Sequence, residues 1–372
     1  MGLQSDLINR IKSRNFWLPT AFFVVFLTIV LIAFQTGGRK YRSLSRELAQ
    51  WDGQHYLTIA RDGYEMNPPT SVRPRISGNV GWFPLYPLLG RLVSVTGLSM
   101  PWSMAVASWL CFWLAMLVLY SVINSKYGER SAIFTMLAVL FYPASFYFVT
   151  SFPYSLYLLL ASLAYYMLHE KKYALLILPA AGLAVTYPSG ALIGLPLAYH
   201  LLRHWKSLRR PDRLWLIVAI FSIAAAIFFF FLYYHFKFGD FFLYLTYQGQ
   251  WFHHHKLTFP LFTLYRYLTA LSFAHLEFLI LVLTLGTAIL VYTRKVEVEW
   301  QLYMIGILLF TPTFGTVQCY YRHVIVAFPL FLMVGLAVND RWRRYLAGAY
   351  VIASILLAWF VFVPAFKKGL LM

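Results

Sequence analysis

Residues 214–236 read LWLIVAIFSIAAAIFFFFLYYHF and contain no Asp, Glu, Lys or Arg. A helix of about 20 apolar residues crosses the roughly 30 Å hydrocarbon core of a bilayer, so this stretch predicts a membrane-spanning helix. The whole chain has the same character, since 60% of its 372 residues are hydrophobic, 12% are charged and the mean hydropathy is +0.65. Soluble domains carry about twice that share of charge. The composition therefore excludes an ordinary soluble enzyme.

The same length criterion predicts an all-α polytopic membrane protein with about 11 transmembrane helices. The first span follows Arg10, Lys12 and Arg14 and lacks a small-residue cleavage site, so we interpret it as a retained signal anchor. Pro188 and Gly190 predict either a broken helix or a re-entrant pair where they interrupt the pattern. The candidate spans are 16–35, 101–123, 131–149, 154–168, 173–186, 188–202, 214–236, 275–293, 300–316, 323–339 and 346–363.

Basic residues outnumber acidic ones, with 31 Lys and Arg against 13 Asp and Glu for a net charge of +18. They form short clusters between apolar runs rather than one patch, so nucleic-acid binding is not predicted. Because Lys and Arg concentrate in cytoplasmic loops, the large cluster at 203–213 marks the cytoplasmic side. We interpret the chain as a single transmembrane domain, 1–372, with two long extracytoplasmic segments, 36–100 and 237–274, where function is expected.

Reactive side chains are scarce. Cys111 and Cys319 offer neither a disulfide framework nor a zinc-binding spacing. No predicted span carries an ionisable residue near its middle, which disfavours a pump or an ion-coupled carrier. The cytoplasmic acids neighbour Lys or Arg, and we expect solvated helix ends at Asp6, Glu129, Glu170, Asp212, Glu297, Glu299 and Asp340. The extracytoplasmic acids are Glu47, Asp52, Asp62, Glu65, Asp240 and Glu277.

Residues 43–62 have apolar side chains at spacings of three and four, which predicts an amphipathic helix at the membrane surface, ended by Gly63. Asp52, His55 and Tyr56 stand at i, i+3 and i+4 and share a face of it. An acid beside an imidazole and a phenol is suited to deprotonating a hydroxyl. Asp52 would equally suit a plain ion pair on a wet face, and the spacing does not separate these interpretations.

Four stretches carry a further pattern: WDGQHYLTIARDGY at 51–64, GWFPLYPLLGRL at 81–92, YPASFYFVTSFPYSLY at 142–157 and YYRHVIVAFPLF at 320–331. Together, and in this order, they resemble the PIG-V family of mannosyltransferases, which includes GPI mannosyltransferase II and its bacterial homologues. That family belongs to the multi-span GT-C glycosyltransferases. The resemblance covers most of the chain.

The resemblance implies an inverting transfer of a hexose, mannose, from a polyprenyl phosphate to an acceptor hydroxyl outside the cytoplasm. It also implies that Asp52 is the general base. A lipid-phosphate donor cannot leave the bilayer, so its cleavable bond lies at headgroup depth, where the 43–62 helix would hold Asp52. The partners expected are membrane lipids, the lipid-linked donor and a glycan or glycolipid acceptor. We expect a bacterial plasma membrane, with the endoplasmic reticulum as the alternative.

Phosphate binding needs basic groups on the same side of the membrane. Arg322 and His323 open a late span there, and a guanidinium binds phosphate bidentately. The alternative for Arg322 is snorkelling to the interface. Lys256 and Arg266 are further candidates, and His55 would either donate to the phosphate or orient Asp52.

Substrate contacts are predicted for aromatic and amide side chains of the two long segments. These residues are Trp51, Tyr56, Tyr64, Gln248 and Trp251. Aromatic residues also form anchoring belts at any membrane interface, so this assignment has an alternative. His253, His254 and His255 are consecutive and point in different directions, so they are not expected to chelate one ion. No metal ion and no cofactor are predicted for the reaction.

The chain departs from the family pattern at AVTYPSGAL, 184–192, where many members have an Arg. Tyr187 and Pro188 occupy that neighbourhood here. Either another residue such as Arg322 does the work of that Arg, or the donor differs. A competing interpretation is a lipid-linked-sugar translocator or binding scaffold without catalysis on the same fold.

Overall fold

Helices account for nearly all regular structure, as expected of a chain whose backbone polar groups must be satisfied in lipid. The structure is a computed structural model that describes residues 14–36, 43–72, 74–251, 257–269, 276–362 and 364. One small sheet is present in this part of the chain, an antiparallel pair of two-residue strands, β1 (Met66–Asn67) and β2 (Ser77–Gly78), in which Met66 faces Gly78.

The α-helices are numbered here in chain order. They are α1 (Arg14–Thr36), α2 (Leu44–Leu48), α3 (Asp52–Asp62), α4 (Leu85–Ser94), α5 (Met100–Tyr127), α6 (Glu129–Phe141), α7 (Tyr154–His169), α8 (Ile177–Ala184), α9 (Gly194–Arg203), α10 (Arg210–Phe238), α11 (Leu243–Trp251), α12 (Pro260–Thr269), α13 (Leu276–Val291), α14 (Val298–Thr313), α15 (Tyr320–His323), α16 (Phe328–Ala337) and α17 (Arg343–Leu357). Short 3-10 helices lie at Ser145–Val149, Tyr173–Leu176, Pro188–Ile193 and Val324–Val326, and a π turn at Ala358–Phe362.

Three helices in the described part of the chain are long and apolar enough to cross a membrane, namely α1, α5 and α10. The segments Tyr320–Val326 and Phe328–Ala337, bent by 73° at a short break, would add a fourth if they form one span. The protein is therefore an integral membrane protein. Each predicted span contains helix, but several of these helices are short, so the number of crossings remains a prediction. The pair around Pro188 is broken, with a 3-10 helix preceding α9.

The prediction of a single helix over 43–62 is wrong. Helix α2 ends at Leu48 and α3 begins at Asp52, because the chain turns at Trp51, whose φ is 56°. The apolar spacing continues through the turn, so periodicity gave no sign of the break. Gly63 ends α3 as predicted, with a φ of 86° and its N–H bonded to the Ile59 carbonyl.

The cytoplasmic acids were predicted to be solvated helix ends beside basic residues. Glu299 differs, since its side chain is only 11% exposed and its carboxylate meets His200 at 2.9 Å. Three others have a basic partner: Glu129 with Arg14, Asp212 with Arg209, and Glu297 with Lys126.

Helices α6 and α16 pack at close range through a glycine. A Cβ added to Gly335 of α16 would lie 2.6 Å from the Ser131 carbonyl oxygen and 2.8 Å from the Thr135 backbone nitrogen. Backbone atoms cannot move aside as a flexible side chain does, so only glycine fits here. Asn339 also donates to the Ser131 hydroxyl at 2.7 Å, which joins the C-terminal end of α16 to α6.

We expect Gly335→Ala to lower the free energy of unfolding by about 1–3 kcal/mol, since overpacking forces the two helices apart. Thermal unfolding of the purified protein in detergent measures this. Gly348→Ala in α17 is the matched control, because a Cβ there meets nothing within 4 Å. Alanine is favoured in helix interiors by about 1 kcal/mol, so the control should keep or raise the midpoint temperature. Equal midpoints for the two variants would contradict this packing argument.

Candidate active site

Stretches that are distant in the chain meet around one cavity of about 1210 Å³. Helix α3 contributes Asp52, His55 and Tyr56 to its wall, as their spacing predicts. All four family-like motifs either line this cavity or support a residue that does. The other polar or aromatic lining residues are Gln50, Trp51, Gln54, Trp82, Phe83, Tyr187, Phe231, Tyr244, Gln248, Phe310, Thr311, Phe314, Thr316, Gln318, Cys319, Arg322 and His323.

The first turn of α3 is fixed by the segment between α6 and α7. The Ser151 N–H donates to the Leu48 carbonyl at 2.9 Å. Gly53 comes so close to this segment that a Cβ would lie 3.1 Å from the Ser151 carbonyl oxygen. Trp51, between them, has φ 56° and ψ −128°, a conformation that costs about 1–3 kcal/mol and that the packing on both sides must maintain. Asp52 is thereby held as the first residue of α3, where the helix dipole favours a negative charge.

The Asp52 carboxylate binds the Arg322 guanidinium, with Oδ2 and Nη1 2.8 Å apart. The Arg322 side chain is 12% exposed and that of Asp52 is 32% exposed. The guanidinium carbon also lies 6.0 Å from the centre of the Phe152 ring. Arg322 is thus enclosed by protein instead of snorkelling to the interface. The residue proposed as base and the residue proposed for phosphate are direct partners, which the sequence did not predict.

His55 and Tyr56 are held by ring contacts. The His55 ring stacks on Trp82, with ring centres 3.6 Å apart and planes at 12°. Burial lowers the pKa of His55, and the nearby Asp52 charge only partly opposes this shift. The imidazole is therefore neutral at neutral pH and offers a phosphate a hydrogen bond but no charge. Burial raises the pKa of Tyr56 well above its usual value, and its ring meets Tyr86 edge-on at 5.6 Å.

A hydrogen-bonded chain of three side chains borders the same cavity. The Tyr187 hydroxyl lies 2.7 Å from His323 Nδ1, and the Tyr154 hydroxyl donates to Tyr187 at 3.3 Å. Tyr187 lies in the stretch 184–192, where the sequence departs from the PIG-V-like pattern, and it lines the cavity. A lone Tyr in an apolar stretch gives no sequence signal of a site.

Gln248 and Trp51 line the cavity, as expected for substrate contacts. The Gln248 amide donates to the Gly81 carbonyl at 2.9 Å. The buried indole N–H of Trp51 has no hydrogen-bond partner in the described part of the chain. Lys256, together with 253–255, lies outside the described residues.

Three of the predicted substrate-binding or phosphate-binding residues are not among those that line the cavity, and their assignment to the site stays a prediction. Each donates to a backbone carbonyl of a neighbouring loop. The bonds are Tyr64 to Trp82 at 2.7 Å, Trp251 to Ile76 at 2.7 Å, and Arg266 to Gly315 at 2.6 Å. Tyr64 is also buried and packs edge-on against Tyr234.

The cavity lining combines charged or polar side chains with apolar ones. Asp52, Arg322 and His323 belong to the first group. The aliphatic and phenyl side chains of helices α10, α11 and α14 and of the residue after α14 are Ile227, Phe231, Leu245, Phe310 and Phe314. Around this cavity the described residues hold no group of three His, Cys, Asp or Glu ligands arranged for a metal ion. A metal-independent reaction remains a prediction.

No family model matches the chain, and no curated protein matches it. Among solved structures, the chain is similar to ArnT from Cupriavidus metallidurans bound to undecaprenyl phosphate, with a TM-score of 0.53, 14% identity, and 96% of this chain and 77% of that chain covered. An oligosaccharyltransferase from Archaeoglobus fulgidus, tethered to an acceptor peptide, matches with a TM-score of 0.48 and 13% identity over 96% of this chain and 56% of that chain. The predicted fold class, an all-α membrane protein of the GT-C type, is confirmed.

Proposed function

We propose that this protein is an inverting glycosyltransferase that moves a hexose, mannose, from a polyprenyl phosphate to an acceptor hydroxyl on the extracytoplasmic face. One observation carries the proposal. A carboxylate and a guanidinium, Asp52 and Arg322, meet at 2.8 Å on the wall of a cavity of about 1210 Å³ whose lining also includes apolar side chains. Pockets for single small ligands span about 300–1,000 Å³, so this cavity has room for parts of two substrates.

The reaction needs one base and one group that receives charge. The acceptor oxygen attacks the anomeric carbon, its proton passes to the Asp52 carboxylate, and the bond between that carbon and the phosphate oxygen breaks. The bonding electrons leave with the phosphate. A cation fixed beside the leaving group stabilises this developing charge in a site shielded from water. Arg322 is that cation in the proposal.

Arg322 has the capacity to serve both Asp52 and a phosphate. A guanidinium has five N–H donors in a fixed fork, and Asp52 is bonded to Nη1. The Nε–H is buried and has no hydrogen-bond partner in the described part of the chain. A phosphate oxygen arriving at this edge would satisfy that donor while the ion pair keeps the carboxylate oriented. Tyr187 and His323 lie on the same wall and supply further hydrogen bonds.

The apolar part of the cavity suits the polyprenyl chain. Ile227 and Phe231 come from α10 and Phe310 from α14, so a lipid tail would lie between two helices that are otherwise in the bilayer. ArnT, whose fold is similar, is bound to undecaprenyl phosphate, which supports this class of donor. Mannose and a glycan or glycolipid acceptor rest on the four PIG-V-like motifs alone. A bacterial plasma membrane rests on the compact length and on the absence of an N-x-S/T sequon.

We expect Asp52→Asn to slow transfer by about 10²- to 10⁴-fold, the usual contribution of a general base. The assay follows release of polyprenyl phosphate from labelled polyprenyl-phosphate-mannose in proteoliposomes, with a membrane-lipid extract as acceptor. Asp62→Asn is the matched control, because Asp62 lies on the same helix but pairs with Arg61 at the surface. Its rate should equal that of the unmodified protein. A protein that moves intact donor across the bilayer, with no dependence on Asp52, would be a translocator.

The ion pair is expected to contribute to stability as well as to catalysis. Removing Asp52 leaves a guanidinium buried without a counter-charge, so Asp52→Asn and Arg322→Gln should be non-additive, with a coupling energy of about 0.5–3 kcal/mol. Thermal unfolding of both single variants and the double variant in detergent gives this coupling. The exposed pair of Arg61 and Asp62 is the control cycle and should couple by about 0–1 kcal/mol. Additive effects at Asp52 and Arg322 would show that the pair does not hold the folded site together.

A further inference from the structure

A second cluster of chemically active side chains lies at the other end of the bundle. His200 belongs to α9, His204 follows its last turn, and Glu299 comes from the first turn of α14. His200 and His204 are four residues apart and so project on the same side. One ligand atom from each of the three residues lies within 4.8 Å of the others.

The contacts within this cluster centre on one carboxylate oxygen. Glu299 Oε1 lies 2.9 Å from His200 Nδ1 and 3.9 Å from His204 Nε2. The Glu299 side chain is 11% exposed and that of His204 is 46% exposed. No Lys or Arg nitrogen in the described part of the chain lies within 4.0 Å of this nearly buried carboxylate. The two imidazoles are the basic groups in contact with it, and the Lys126 ammonium interacts with it at longer range.

We infer that His200, His204 and Glu299 bind a divalent transition metal ion of the zinc class. Two imidazoles and one carboxylate are ligands that zinc accepts, and imidazole favours Zn, Cu, Ni or Fe over Mg and Ca. Three protein ligands leave one coordination position for water, and the exposure of His204 gives an ion a path from solvent. This ion compensates the charge of Glu299.

The surroundings of the cluster are organised as metal sites usually are. The Tyr173 hydroxyl lies 3.3 Å from His200 Nε2, the nitrogen that is not turned toward Glu299. Such a second partner fixes the tautomer and the ring orientation of a ligating histidine. Gly306 lets α14 approach α9 closely, since a Cβ there would lie 3.0 Å from Leu195 Cδ1.

The site is separate from the cavity and has no part in the transfer reaction. On α14, Glu299 stands twelve residues before Thr311, which lines the cavity, and at 1.5 Å per residue this is about 18 Å. Pro188, which precedes α9 along the chain, lines the cavity as well. A metal ion would therefore join α9 to α14 on the side predicted to be cytoplasmic. The far end of α14 and the 3-10 helix that precedes α9 line the substrate cavity.

The experiment measures Zn²⁺ binding to the full-length protein, stripped of metal and held in detergent, by competition with a chromophoric chelator. We expect one equivalent of zinc whose affinity falls at least about tenfold in His204→Gln, the scale seen when even outer-shell partners of a metal are removed. His169→Gln is the matched control, since His169 is exposed at the end of α7, and it should bind as the unmodified protein does. Glu299→Gln should also lower the affinity for this zinc ion.

Co²⁺ absorption provides a second measurement, because a four-coordinate site gives intense visible bands that His204→Gln should abolish. Zinc bound by the histidines at 253–255 would still bind to His204→Gln, so this variant distinguishes it from zinc at the proposed site. The metal-free His204→Gln variant must unfold at the same temperature as the metal-free unmodified protein. This control shows that weaker zinc binding does not result from loss of the fold. Equal zinc affinity for the unmodified protein and His204→Gln, or no stoichiometric zinc at all, would overturn the inference, whatever the outcome of the transferase assay.

Discussion

The ion pair between Asp52 and Arg322 is the contact on which the site depends. It joins α3, in the segment 36–100, to the short helix α15 late in the chain. Burying an unpaired guanidinium costs several kcal/mol, so the pair selects the arrangement in which α3 stands against α15. The strained turn at Trp51 serves the same end, because it starts α3 where Asp52 meets its partner.

Irregular backbone surrounds this pair, and the constraint that the bilayer places on backbone polar groups explains its location. A backbone that leaves the α-helical pattern exposes polar groups, which is tolerated at membrane depth only inside protein or beside a cavity. The 3-10 helices Ser145–Val149, Pro188–Ile193 and Val324–Val326 all lie in the parts of the chain that form or support the cavity. Three of the four 3-10 helices in the described part of the chain are thus at the cavity, while the fourth, Tyr173–Leu176, lies beside His200. Pro188 begins one of the three and was a signal available in the sequence.

The sequence predicted what depends on local spacing and on the bilayer. Hydropathy was enough for the all-α membrane fold, and a helical repeat was enough to place Asp52, His55 and Tyr56 on one face. Arg322 was selected as a basic residue outside the predicted cytoplasmic clusters, and it lines the cavity. The sequence did not predict that Asp52 and Arg322 are partners, nor that Tyr187 faces the cavity, because contacts between distant helices leave no periodicity. Nor did it predict that Tyr64 is packed inside, since a motif does not tell which of its aromatic residues are buried.

The two long segments, predicted as separate insertions, are one structural unit where the structure describes them. Gln248 donates to Gly81 and Trp251 to Ile76, so helix α11 is bonded directly to the loop that precedes α4. Gln250 extends this contact by accepting from the Ile76 N–H at 2.9 Å. Because Trp82 of the same loop stacks on His55, α11 and this loop together support the face of α3 that carries Asp52. Helix α14 meets His200 at one end through Glu299 and reaches the cavity at the other. The cavity is therefore bordered both by a helix bonded to the first long segment and by a helix whose other end lies at the His200 cluster.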